Sequence, residues 1–189
     1  MSAAGVPALL IVDMIGLFDF PGANHLAPSA VRAARRSRAL RAGFHERGWP
    51  VVYANDNFAR WQSDFRELVA MASAIEGAPR EIARLLEPGP DDHFVLKPKH
   101  SAFLYTALPV LLAKLGVRRL LLTGTALEGC ILATAIDGNA REYSVGVVRD
   151  GVAGKPALRP SALKVLEGSK AARLLDAGRA IAWCSGRRR

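Results

Sequence analysis

Arg118-Arg119-Leu120-Leu121-Leu122-Thr123-Gly124 runs without a break into Thr125-Ala126-Leu127-Glu128-Gly129-Cys130 and then Ile131-Leu132-Ala133-Thr134-Ala135. The first part is apolar with no alternation of inward and outward residues, as expected of a central strand covered on both faces. The last part has helical composition, so the cysteine falls where a strand hands over to a helix. A thiol in a first helical turn feels unpaired backbone N–H groups and the positive end of the macrodipole. Both favour thiolate and predict a pKa in the range of about 3.5–7.5 rather than about 8.5.

Working outward, two more ionisable groups close apolar runs. Asp13 follows Ala8-Leu9-Leu10-Ile11-Val12, and Lys97 follows His93-Phe94-Val95-Leu96. Apolar runs alternate with helical stretches along the chain, the pattern of an α/β fold with a parallel sheet. The sequence predicts strands over 8–13, 50–54, 93–97, 118–123, 144–149 and 179–183, and helices over 28–47, 64–73, 107–115, 130–142 and 160–177. The stretch 54–90 reads as the least regular, with Pro88-Gly89-Pro90-Asp91-Asp92 a loop on residue types alone. The expected architecture is a three-layer Rossmann-like sandwich around a mostly parallel six-stranded sheet. Ligands in such sheets collect beyond the carboxyl ends of the strands.

A chain of 189 residues, half of them hydrophobic, suffices for one full core. Residues 1–185 are expected to form a single domain and 186–189 a disordered basic tail. No apolar run approaches the ~20 residues of a membrane span. No basic leader or cleavage site precedes the first strand, and Cys130 and Cys184 make a poor disulfide framework; both point to a cytoplasmic setting. The net charge of +9 comes largely from Arg32, Arg35, Arg36, Arg38 and Arg41 and from Arg187-Arg188-Arg189. The helical spacing of the first group reads as a solvated face, and no aromatics are interleaved to stack bases, so no specific nucleic acid is expected.

An acid, an amine and a thiol at three strand ends are the parts of covalent catalysis. The thiol attacks, the carboxylate accepts its proton, and the cation holds both in useful charge states. Each has a plain alternative: a turn-capping Asp, a solvent-facing Lys, a small core Cys.

Leu9-Leu10-Ile11-Val12-Asp13-Met14, Lys97-Pro98-Lys99-His100-Ser101-Ala102-Phe103 and Thr123-Gly124-Thr125-Ala126-Leu127-Glu128-Gly129-Cys130 together resemble the three motifs of the isochorismatase-like cysteine hydrolases. The resemblance spans roughly residues 8–152. It implies Asp13 as general base, Lys97 as its charge partner and Cys130 as nucleophile. It also implies a non-proline cis peptide at Thr125–Ala126 that turns the N–H groups of Ala126 and Cys130 toward an oxyanion. The implied reaction is hydrolysis of an amide or carbamoyl C–N bond through an acyl-enzyme. The implied partners are a small-molecule substrate and further copies of the chain, as homodimer or homotetramer.

Two positions depart from the family pattern: Leu17 stands where an acidic residue is usual, and Leu127 where Thr is common. Nicotinamidases in the family carry an Asp-x-His-x-His metal cluster; here the comparable loop reads Asn55-Asp56-Asn57 and the four histidines are dispersed. No metal and no other cofactor is therefore expected. Phe18, Asn57, Trp61, Phe103 and Glu128 are the candidate substrate contacts. The competing readings are a catalytically silent ligand- or partner-binding member of the fold, and an isochorismatase-type vinyl-ether hydrolase.

Overall fold

The computed structural model describes residues 5–58 and 62–186. Six strands form one sheet: β1 (Val6–Val12), β2 (Val51–Asp56), β3 (His93–Lys97), β4 (Val117–Gly124), β5 (Ser144–Val152) and β6 (Arg173–Leu175). Their order is β3-β2-β1-β4-β5-β6, and every pairing is parallel. Strand order therefore reverses between β1 and β4, which places the ligand-collecting crevice beside Asp13 and the end of β4. The unalternating Leu120-Leu121-Leu122 run is central, between β1 and β5, and fully buried.

Among the described residues seven helices cover the two faces: α1 (Ala23–His45), α2 (Phe65–Ala74), α3 (Ala78–Leu85), α4 (Leu108–Lys114), α5 (Leu132–Ala140), α6 (Arg159–Gly168) and α7 (Ala177–Cys184). Alternation along β1 divides the core. Leu9 and Ile11 pack with residues of α1, α2, α3 and α7, whereas Ala8, Leu10 and Val12 pack with α4, α5 and α6. This is the expected three-layer sandwich.

Local chemistry explains most boundaries. α2 starts on a full capping box: Asp64 accepts from the Glu67 N–H, and Glu67 reaches back to the Asp64 N–H. α1 stops where Gly48 turns left-handed at φ 63°, ahead of Trp49. That helix nevertheless begins earlier than expected, at Ala23 rather than at Pro28, which sits inside it.

Three expectations are corrected. The apolar run expected as a strand over 179–183 is helix α7, and the sixth strand is the short Arg173–Leu175. The helix expected over 160–177 ends at Gly168. Four apolar residues in a row do not distinguish a strand from the inner face of a helix, and three residues of β6 are too few to show any period. Part of the stretch read as irregular is α3, which starts at Gly77 with Pro79 in its first turn and buries Ile82 and Ala83. Of the expected basic tail, residues 187–189 lie outside the described residues. No helix among the described residues is long and apolar enough to cross a membrane.

Candidate active site

Asp13, the residue after β1, is held on both sides through its backbone. Its N–H donates to the Ala54 carbonyl at 3.0 Å, and its own carbonyl accepts from the Thr125 hydroxyl at 2.7 Å. Its φ of 46° turns the chain sharply out of the sheet. The departing loop is then fixed by Asn55, whose side chain pairs with both the N–H and the C=O of Ile15.

The Asp13 carboxylate accepts from the Asp56 backbone N–H at 2.7 Å and meets Lys97 Nζ at 2.7 Å. Lys97, last residue of β3, has a side chain only 1% exposed. Its ammonium has three N–H donors. They serve Asp13, the Lys99 carbonyl at 2.9 Å and Cys130 Sγ at 3.5 Å, so the amine is fully committed. The Cys130 thiol is also within hydrogen-bonding reach of Asp13. The three residues singled out at three strand ends thus meet around one half-buried sulfur.

Cys130 does not sit in an ordinary first α-helical turn. Leu127–Ile131 form a single π turn, with the Ile131 N–H donating to the Ala126 carbonyl, before α5 begins. Such widened turns concentrate at functional sites. Thr125–Ala126 is a cis peptide. Hydrogen bonds to the Val12 and Ala153 carbonyls hold the N–H groups of Thr125 and Leu127 on either side of it. Among the described residues, the Ala126 N–H between them takes no hydrogen bond.

The expected thiolate is corrected. Burial and the adjacent Asp13 carboxylate push the Cys130 thiol up to about 12, and Lys97 only partly opposes them. Burial likewise raises Asp13 above the usual carboxylate value, against the pull of Lys97. Burial works to lower Lys97, but the Asp13 and Cys130 charges outweigh it and its pKa is raised. The resting arrangement is a neutral thiol beside an ion pair whose carboxylate has enhanced basicity.

Of the other candidates, Asn57 is buried directly after β2, and Phe18 is half-buried in the β1–α1 loop with its ring 6.0 Å from that of Phe20. Phe103 lies in the core, stacked on Tyr143 with Arg141 over its ring. Glu128 turns away from its own helix: both carboxylate oxygens accept from the Lys155 N–H, at 3.1 and 3.2 Å. Trp61 lies outside the described residues. His100 was not singled out from the sequence, yet its Nδ1 stands 3.8 Å from Cys130 Sγ. The only signal was its place three residues beyond Lys97, where a chain leaving a strand end must turn.

A metal set of the Asp-x-His-x-His kind does not fit this loop. The Asn55 amide is spent on Ile15 and on the Asp56 carbonyl, and Asp56 accepts from the Phe58 N–H at 2.6 Å. Among the described residues no group of three His, Cys, Asp or Glu side chains is arranged to hold a metal ion.

The chain as a whole is similar to known proteins. Residues 7–176 match the isochorismatase domain. The chain is 37% identical over 146 residues to the isochorismatase family protein YaaI of Bacillus subtilis, covering 77% of this chain and 80% of that one. It is 32% identical over 152 residues to maleamate amidohydrolase of Pseudomonas putida, covering 77% and 71%. A crystal structure of an isochorismatase family protein from Desulfovibrio vulgaris superposes with a TM-score of 0.76 at 26% identity, covering 96% of this chain and 99% of that one. The parallel sheet and these matches place the chain in the isochorismatase family.

Proposed function

We propose that this chain is a metal-independent cysteine hydrolase that cleaves the C–N bond of a small amide or carbamoyl substrate through an acyl-enzyme on Cys130. The observation that carries the reading is the contact of Lys97 with both the Asp13 carboxylate and the Cys130 sulfur. The amidohydrolase among its relatives supports the reaction class.

The chemistry follows from the charge states. Cys130 Sγ attacks the substrate carbonyl carbon as its proton passes to Asp13, so free thiolate is never required. The oxyanion is received by the N–H groups of Ala126 and Cys130; one such donor contributes about 3–4 kcal/mol to the transition state. The C–N bond then breaks, and the leaving nitrogen takes the proton from Asp13. Water, deprotonated by Asp13, attacks the acyl-enzyme; the C–S bond breaks, and the sulfur recovers the proton. The net change is one C–N bond hydrolysed, giving an acid and ammonia or an amine. Lys97 keeps its proton throughout and stabilises each anionic state.

Asn57 and Phe18 are the substrate contacts in this reading, with His100 at the mouth beside the sulfur. Phe103 and Glu128 serve packing and loop placement instead. The chain is taken to act in the cytoplasm as a homodimer or homotetramer; Tyr105 and Val110, 91% and 62% exposed, offer apolar surface to a second copy. The test is an ammonia-release screen across small amides and carbamoyl compounds, with Cys130→Ser as control. Release by the parent chain alone is the expected result. No release from any compound, with Cys130 still alkylated by iodoacetamide, would leave the silent binder in its place.

A further inference from the structure

A groove of about 620 Å³ runs between α1 and the β5–α6 loop. Arg32, Arg35, Arg36, Arg149 and Arg159 line it, with His25 at one side. The helix arginines expected to form a solvated face therefore stand opposite two arginines from another part of the chain.

Carboxylates answer only part of this charge. Asp150 holds Arg36 at 3.0 Å and is further engaged by the Ala177 N–H. Glu81 holds Arg35 at 2.8 Å, and Asp176 reaches Arg149 only at 4.0 Å. Among the described residues Arg32 and Arg159 have no carboxylate partner. Arg159 is nevertheless held in place, because its guanidinium donates to the carbonyls of Val152 and Arg149. A half-buried guanidinium oriented by carbonyls and left without a counter-charge is preorganised for an anion.

From this juxtaposition we propose that the groove binds a small oligoanion carrying two or more phosphoryl-type groups. A single phosphate would answer only one of the two unpaired guanidinia; a linked pair of anionic groups answers one on α1 and one at the start of α6. The lining holds no aromatic ring apart from His25, so the anionic groups are recognised rather than an attached base. The site does not depend on the hydrolase reading, since none of its residues belongs to the triad.

The test is calorimetric titration of the full chain with inorganic pyrophosphate, with orthophosphate alongside, at about 50 and 200 mM salt. Saturable one-to-one binding of pyrophosphate is expected, with orthophosphate weaker by about tenfold or more. Arg32→Gln and Arg159→Gln should each weaken pyrophosphate by about tenfold. Arg66→Gln on α2, outside the groove, should leave it unchanged, as should Cys130→Ser. Since Arg159 also supports the loop, Arg32→Gln is the deciding variant. Absence of saturable binding, equal affinity for orthophosphate, or equal weakening by Arg66→Gln would overturn the proposal. Retention of a duplex DNA oligomer, lost equally in all three arginine variants, would point to unspecific charge and would also overturn it.

Discussion

The Lys97 ammonium spends all three of its N–H donors inside the site. Removing it leaves the Asp13 carboxylate buried without its counter-charge. Lys97→Ala and Asp13→Asn should each lower kcat/KM on any substrate found by about 10²–10⁴-fold, read by steady-state kinetics. The pH dependence has a definite sign. In the proposed reaction Asp13 must be ionised to accept the thiol proton, and its pKa is raised, so the acid limb of kcat/KM should lie above the ordinary carboxylate value of 3.8. A limb at or below that value would contradict the assigned base. Labelling reports the sulfur directly. Both thiols are pushed up to about 12, but Cys130 is half-buried whereas Cys184 is 2% exposed. Iodoacetamide should therefore modify Cys130 slowly and Cys184 more slowly still, with Lys97→Ala slowing Cys130 further by removing the one charge that favours its thiolate.

At the scale of elements, the ends of β1 and β4 approach each other closely. Gly124 closes β4 at φ 122°, and a Cβ there would stand 1.9 Å from the Val12 carbonyl oxygen. Backbone has no room to yield, so Gly124→Ala should cost at least about 3 kcal/mol. Thermal unfolding should show this as a fall of about 6–12 °C. Much of this region was legible in the sequence. The unbroken Leu120-Leu121-Leu122 run marked a central strand, and Asp13, Lys97 and Cys130 each closed or followed an apolar run, so their convergence followed once the sheet was parallel. The thiol's charge state was not legible, because it turns on burial and on the distance to Asp13, both products of packing. Nor was the partner of Glu128: only the path of residues 153–155 shows its carboxylate accepting from the Lys155 N–H. The end of the chain misled for a different reason. Ala180-Ile181-Ala182-Trp183 presents an apolar run, but it lies on α7 against α1, where helix and strand bury similar residues.

Across the whole molecule, the two faces of the sheet differ in what they carry. The layer of α4, α5 and α6 packs beside Cys130, while the layer of α1, α2, α3 and α7 buries Cys184 against α1. Burial raises that second thiol from 9.0 to about 12, with Arg119 opposing. The unfolded chain therefore releases this proton first, and the folded state loses stability as pH rises from 9.0 toward about 12. The loss from Cys184 is up to about 4 kcal/mol at the upper end. Denaturant unfolding of the parent chain and of Cys184→Ala should converge through that window; parallel curves would refute the assignment.

Ala153 gives one last consequence. Its N–H reaches the Gly124 carbonyl while its own carbonyl receives the Leu127 N–H, so a single residue spans the bend that leads to Cys130. Neither bond can open without freeing the other's anchor. Deuterium should therefore enter at Leu127 and Ala153 with matching rates, as one concerted breathing event and not as independent fraying.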